Sequence, residues 1–191
     1  MRLRQIVIVA ADLEAAERRV ETELGVELCY RDPGVAAFGL ENALFPIGDK
    51  LLEIVSPTKE GTTAGRLLDK RGGDGGYMVI LEVGDLDALR RRFDQVGARV
   101  AYEAVGEGIV GLHLHPADVG GAILSLDQAD AWGEWPWAGP VWRRHVRDDV
   151  VSEVLAVEIA ATDPAAMSAR WGEVLDRQTI ENTVTLDEGE I

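Results

Sequence analysis

Cysteine is nearly absent. Cys29 is the only one in 191 residues, so no intrachain disulfide can form and no cysteine-rich zinc site can be assembled. Positive charge is also in short supply. Nineteen Lys and Arg stand against 34 Asp and Glu, a net charge of −15, and a field of that sign repels phosphate backbones and anionic membrane surfaces. Nucleic-acid and membrane partners are thereby excluded, while a neutral or cationic small ligand is not. Long apolar runs are missing too. The N-terminal stretch MRLRQIVIVAADLEAAE is interrupted by Asp12 before a signal peptide or a membrane span is complete, which places the expected location in the cytoplasm. What remains is 47% apolar and 28% charged, the balance of a globular chain with a real core.

Three segments repeat one pattern. IVIVAADLEAAERRVETELG, VILEVGDLDALRRRFDQVG and VEIAATDPAAMSARWGEVLD align on Asp12, Asp85 and Asp163, each at the point where a strand-like run gives way to a helix-like one. An Asp there caps the free amides of the first helical turn, and Pro164 falls where a helix tolerates proline. Leu13, Ala16, Val20 and Leu24 recur every three or four residues, as do Leu86, Leu89, Phe93 and Val96, so each helix lays one apolar stripe on a sheet. Gly25 and Gly97 stop the first two helices.

Alternating runs follow: VELCYRD, VAAFGLENALFPIG and KLLEIVSP after the first helix, ARVAYEAV, IVGLHLHP and GGAILSLD after the second. The predicted organisation is a strand-helix-three-strand module over 1–57, a linker over 58–75, a second such module over 76–130, a tryptophan-rich linker over 131–152 and an incomplete third module over 153–191. The fold class expected is α+β. Trp132, Trp135, Trp137 and Trp142 are read as pinning the second linker to a wall of the fold, since large aromatics dominate burial energetics.

The repeated unit resembles the vicinal oxygen chelate superfamily, which includes glyoxalase, bleomycin-resistance proteins, extradiol dioxygenases and methylmalonyl-CoA epimerase. ENALFPIGDKLLEIVSP looks like the strand pair of glyoxalase-like domains, and LHPADVGGAILSLD like the closing hairpin of epimerase-type members. The resemblance implies two βαβββ modules paired into a cleft-bearing half-barrel, with a partial third βαβ module added. It also implies a divalent metal held by His, Glu or Gln from the first and last strand of each module. By register those positions are Gln5, Glu53, Met78 and Ser125. A thioether and a serine hydroxyl are poor ligands for ions that take oxygen and imidazole donors, so no metal or other cofactor is expected, with a divalent ion as the alternative.

Strand alternation turns Leu51, Glu53 and Val55 to the cleft and Leu52 and Ile54 to the helix layer, and likewise His113, His115, Ile123, Ser125 and Asp127 to the cleft. Glu53 and His113 are the candidate catalytic residues, with Gln5, Met78, Ser125 and His115 as candidate ligand contacts. A carboxylate among apolar walls has a raised pKa and serves as a general base. Arg66, Lys70 and Arg71 form a basic cluster in the first linker that suits an anionic group. Two functions are expected from this set. One is a glyoxalase/bleomycin-resistance-like protein that binds a small organic molecule without metal. The other is a lyase or an isomerase/epimerase moving a proton next to a carbonyl, with Glu53 as base. The third module's unpaired edge predicts a homodimer.

Overall fold

The computed structural model describes residues 1–191. The three aspartates do what their positions predict. Asp12 accepts from the Ala15 amide and opens α1 (Leu13–Leu24), Asp85 accepts from Ala88 and opens α3 (Leu86–Val96), and Asp163 accepts from Ala166 and opens α5 (Pro164–Leu175). Gly25 and Gly97 close α1 and α3 with φ of 65° at each, the left-handed conformation that glycine adopts without penalty.

The chain forms two compact units, one made of Gln5–Tyr77 with Trp135–Val154, the other of Met1–Arg4, Met78–Glu134 and Leu155–Ile191. In the first unit, Gln5–Val9 of strand β1 (Arg2–Val9) runs parallel to β3 (Lys50–Pro57), and β2 (Leu40–Ile47) pairs antiparallel with β3. One face of this sheet packs Ala43, Phe45, Ile54 and Leu52 against Leu13, Ala16, Val20 and Leu24 of α1. Each fully buried Leu, Ile or Phe there contributes about 1.5–3 kcal/mol relative to exposure. The opposite face carries Gln5, Val7, Leu51, Glu53 and Val55, as alternation requires. The expected strand over VELCYRD is reduced to a single bridge, Tyr30 to Leu44. Asp32-Pro33-Gly34 turns the chain into a 3-10 turn, Pro33–Phe38, before a ladder can extend. Helix α2 (Thr63–Arg71), capped by Thr62, occupies the first linker.

In the second unit, β4 (Gly75–Glu82) runs parallel to β7 (Ile123–Ala129), and β6 (Ile109–Leu114) pairs antiparallel with β7 and with β5 (Val100–Gly106). A four-residue helix, α4 (Pro116–Val119), stands between β6 and β7. A buried ion cluster ties the start of the chain to this unit. Glu82 accepts from Arg2 Nε at 2.8 Å and from the Gly133 amide at 2.6 Å, and Arg4 Nε lies 3.5 Å away. Removing one partner of such a cluster costs about 3–5 kcal/mol.

The third segment departs from expectation at its front. Residues 151–161 form no strand, only the bridge of Ala156 to Glu190. Its helix α5 is present, followed by the two-residue strands β8 (Thr179–Ile180) and β9 (Thr183–Val184). Trp171 of α5 is buried and donates to the Val119 carbonyl at 3.1 Å, which seats α5 on the second unit. No helix is long and apolar enough to cross a membrane.

Candidate functional site

Glu53 lies in the middle of β3, paired with Val7 on one side and Leu44 on the other. Its position is central and apolar on both flanks, so water reaches little of it; the residue is 7% exposed. Two amides compensate. Gln5 Nε2 donates to one carboxylate oxygen at 2.7 Å, and Asn42 Nδ2 donates to the other at 2.6 Å. Each amide is itself held from behind: Trp135 Nε1 donates to Gln5 Oε1 at 2.7 Å, and the Asp32 backbone amide donates to Asn42 Oδ1 at 2.8 Å.

Burial is the largest influence on this carboxyl and raises its pKa, the bonds from Asn42 and Gln5 lower it, and the charge of Asp32 raises it again, leaving it at about 7. A carboxylate so tuned takes a proton near neutral pH, which is what a general base requires. Tyr77 is part of the same unit. Burial raises its phenol above the usual value, with the Arg66 guanidinium opposing and the Glu53 charge adding to the rise, so a neutral phenol lies within electrostatic reach of the base. Cys29 offers no nucleophile, because burial pushes its thiol up to about 12.

Of the residues singled out from sequence, Gln5 and Glu53 are brought together directly. Met78, His113, Ser125 and His115 belong to the second unit. There, His113 stands opposite Ser125 across the β6–β7 ladder and opposite Tyr102 across β5–β6, with ring centroids of His113 and Tyr102 5.4 Å apart. Burial lowers the His113 pKa to about 4, so its imidazole is neutral at pH 7. Ser125 is fully buried and donates to Asp127. Met78 pairs with Ile123. His115 caps α4, accepting from the Ala117 amide at 3.2 Å. Of the linker cations, Arg66 is tied to the Gly61 carbonyl and the Thr63 hydroxyl, and Arg71 to the Gly76 carbonyl.

Sequence reasoning missed Asn42 and Tyr77 and read Trp135 only as a wall anchor. Asn42 had a signal: an amide at alternate spacing from Leu44 on the strand beside Glu53. Trp135 had none, because nothing in a linker sequence says which strand its indole meets. Trp135 and Trp142 are buried as the pinning reading predicts, whereas Trp132 is half exposed, with the Arg2 guanidinium 5.0 Å over its ring.

The donors do not fit a divalent ion. The Gln5 carbonyl oxygen, the atom that would ligate it, accepts from the Trp135 indole, and both Glu53 oxygens accept from amides. The Ser125 hydroxyl is engaged with Asp127, and Met78 supplies a thioether where oxygen or imidazole is required. No group of three or more His, Cys, Asp or Glu side chains is arranged to hold a metal ion. The first unit also carries an open groove of about 570 Å³ whose lining includes Asp12, Glu14, Glu17 and Glu41, with Arg31 as its one cation.

Comparison with known proteins gives a consistent set of relatives. The model of a family described as "Glyoxalase-like domain" matches residues 6–175. An ethylmalonyl-CoA/methylmalonyl-CoA epimerase of Cereibacter sphaeroides is 30% identical over 133 residues, covering 66% of this chain and 97% of the relative. The human mitochondrial methylmalonyl-CoA epimerase is 26% identical over 133 residues, covering 67% and 74%. Among solved structures, a Streptomyces coelicolor methylmalonyl-CoA epimerase in complex with 2-nitronate-propionyl-CoA superposes with a TM-score of 0.61 at 26% identity, over 69% of this chain and 99% of that one. The Mycobacterium tuberculosis methylmalonyl-CoA epimerase gives 0.60 at 28% identity, over 67% and 87%.

Proposed function

The chain belongs to the glyoxalase-like domain family, and from that premise we propose that it is an isomerase of the epimerase kind, moving a proton on the carbon next to a carbonyl without a metal ion. The observation that carries this reading is Glu53: a carboxylate on the inner face of β3, aimed by two amides and tuned to about 7. The substrate class follows the relatives, which are named for methylmalonyl-CoA and ethylmalonyl-CoA. In this reaction the Glu53 carboxylate takes the α-proton of one epimer and the electron pair passes to the carbonyl oxygen as an enolate. A proton taken from solvent on the opposite face gives the other epimer, and Glu53 returns the proton it removed to solvent. The enolate needs an electrophile, and the Tyr77 phenol, which lies within electrostatic reach of Glu53, is the group that would supply a hydrogen-bond donor to it. Incubation with methylmalonyl-CoA in D2O tests the reading: the wild type incorporates deuterium at the α-carbon, and Glu53→Gln does not.

The acidic groove favours a second reading. Four carboxylates against one arginine suit a cationic guest, as expected of a protein that sequesters a small organic molecule. Ligand binding with no α-proton exchange in the same assay would support sequestration over isomerisation.

A further inference from the structure

Trp135 reaches the site from a segment far along the chain, and the chemistry of its contact is one-sided. An indole N–H only donates and a carboxylate only accepts. Gln5 sits between one of each, with Oε1 2.7 Å from Trp135 Nε1 and Nε2 2.7 Å from Glu53. Turning the Gln5 amide over would set its carbonyl against the carboxylate and its NH2 against the indole N–H, losing two hydrogen bonds and creating two like-poled contacts between buried groups. Trp135 is 1% exposed and Gln5 3%, so water cannot relieve either contact. Gln5 is thereby locked with its NH2 toward Glu53. Asn42 is locked the same way by the Asp32 amide, but through backbone; at Gln5 the lock is a side chain and can be removed.

We propose that Trp135 is a positioning residue for proton transfer, holding Glu53 in its working orientation through the Gln5 carboxamide. This rests on the reading of Glu53 as the base.

The test replaces Trp135 with β-(3-benzothienyl)alanine, which keeps the fused ring and puts a sulfur, which cannot donate, in place of the N–H. Trp135→Phe, checked for folding by circular dichroism, serves as the second variant. In the exchange assay on methylmalonyl-CoA, kcat falls about tenfold, as expected for a reacting group that loses its alignment, while KM is unchanged. In a Gln5→Met background the same replacement produces no further fall. A loss of equal size with and without Gln5, or no loss at all, overturns the proposal. A readout independent of activity separates this from failure of the functional reading. The Gln5 side-chain NH2, followed by NMR, exchanges slowly with solvent in the wild type and at least tenfold faster in the benzothienyl variant; unchanged exchange overturns the aiming role even if the protein turns over.

Discussion

Replacing Glu53 by Gln alters the pH dependence of stability in a way that can be worked out beforehand. The folded-state pKa is about 7 against an ordinary 4.5, so the folded chain holds this proton where the unfolded chain has released it. Stability from this group is therefore full below pH 4.5, falls as pH rises toward about 7, and is flat above. The whole loss is about 3 kcal/mol, and about 2 kcal/mol of it falls between pH 5.5 and 8. Glu53→Gln has no proton to lose. It does carry a fixed penalty, because its own NH2 must face one of two NH2 groups locked by Trp135 and the Asp32 amide. That penalty does not vary with pH, and other titrating groups are common to both proteins. Urea denaturation of both at pH 5.5 and 8 isolates the effect: the stability of the variant relative to wild type rises by about 2 kcal/mol across this range. Parallel profiles would refute the burial-raised base.

Other consequences follow from the same geometry. A Cβ at Gly111 would lie 2.7 Å from Asp127 Oδ2, so Gly111→Ala destabilises by about 1–3 kcal/mol; unchanged thermal unfolding would mean that the Asp127 carboxylate yields freely. Asp163→Ala removes the acceptor of the Ala166 amide and costs about 1 kcal/mol, read in urea melts, with no loss meaning that α5 is held by packing alone. Zinc, nickel, cobalt, manganese or magnesium at 0.1 mM leaves the melting temperature unchanged, whereas a site filled at a hundred times its Kd would add about 2.7 kcal/mol.

The helices were legible in sequence because their signals are local. An Asp cap, a stripe at three and four residues and a stopping glycine lie within one helix length, and α1, α3 and α5 begin where Asp12, Asp85 and Asp163 say. The facing of β3 was legible for the same reason, since alternation around Glu53 needs only its neighbours. VELCYRD and the opening run of the third module, from about Val154, read as strands but make a single bridge each, because a strand needs a partner edge and sequence pattern does not supply one. The candidate site divides along the same line. Gln5 and Glu53 were found by register and do meet. Asn42 comes from the neighbouring strand of the same hairpin and was within reach of the alternation argument, whereas Trp135 joins the pair through a contact 130 residues along the chain, and the ion cluster of Arg2, Arg4 and Glu82 was invisible for that same reason of distance.

A base that works without a metal can be tested in one assay. The protein is stripped with a chelator, its metal content measured as negligible, and α-proton exchange of methylmalonyl-CoA followed in D2O for wild type and Glu53→Gln. Exchange is undiminished by chelation and abolished by Glu53→Gln. Exchange that disappears on chelation and returns with a divalent ion, or that persists without the Glu53 carboxylate, would contradict it.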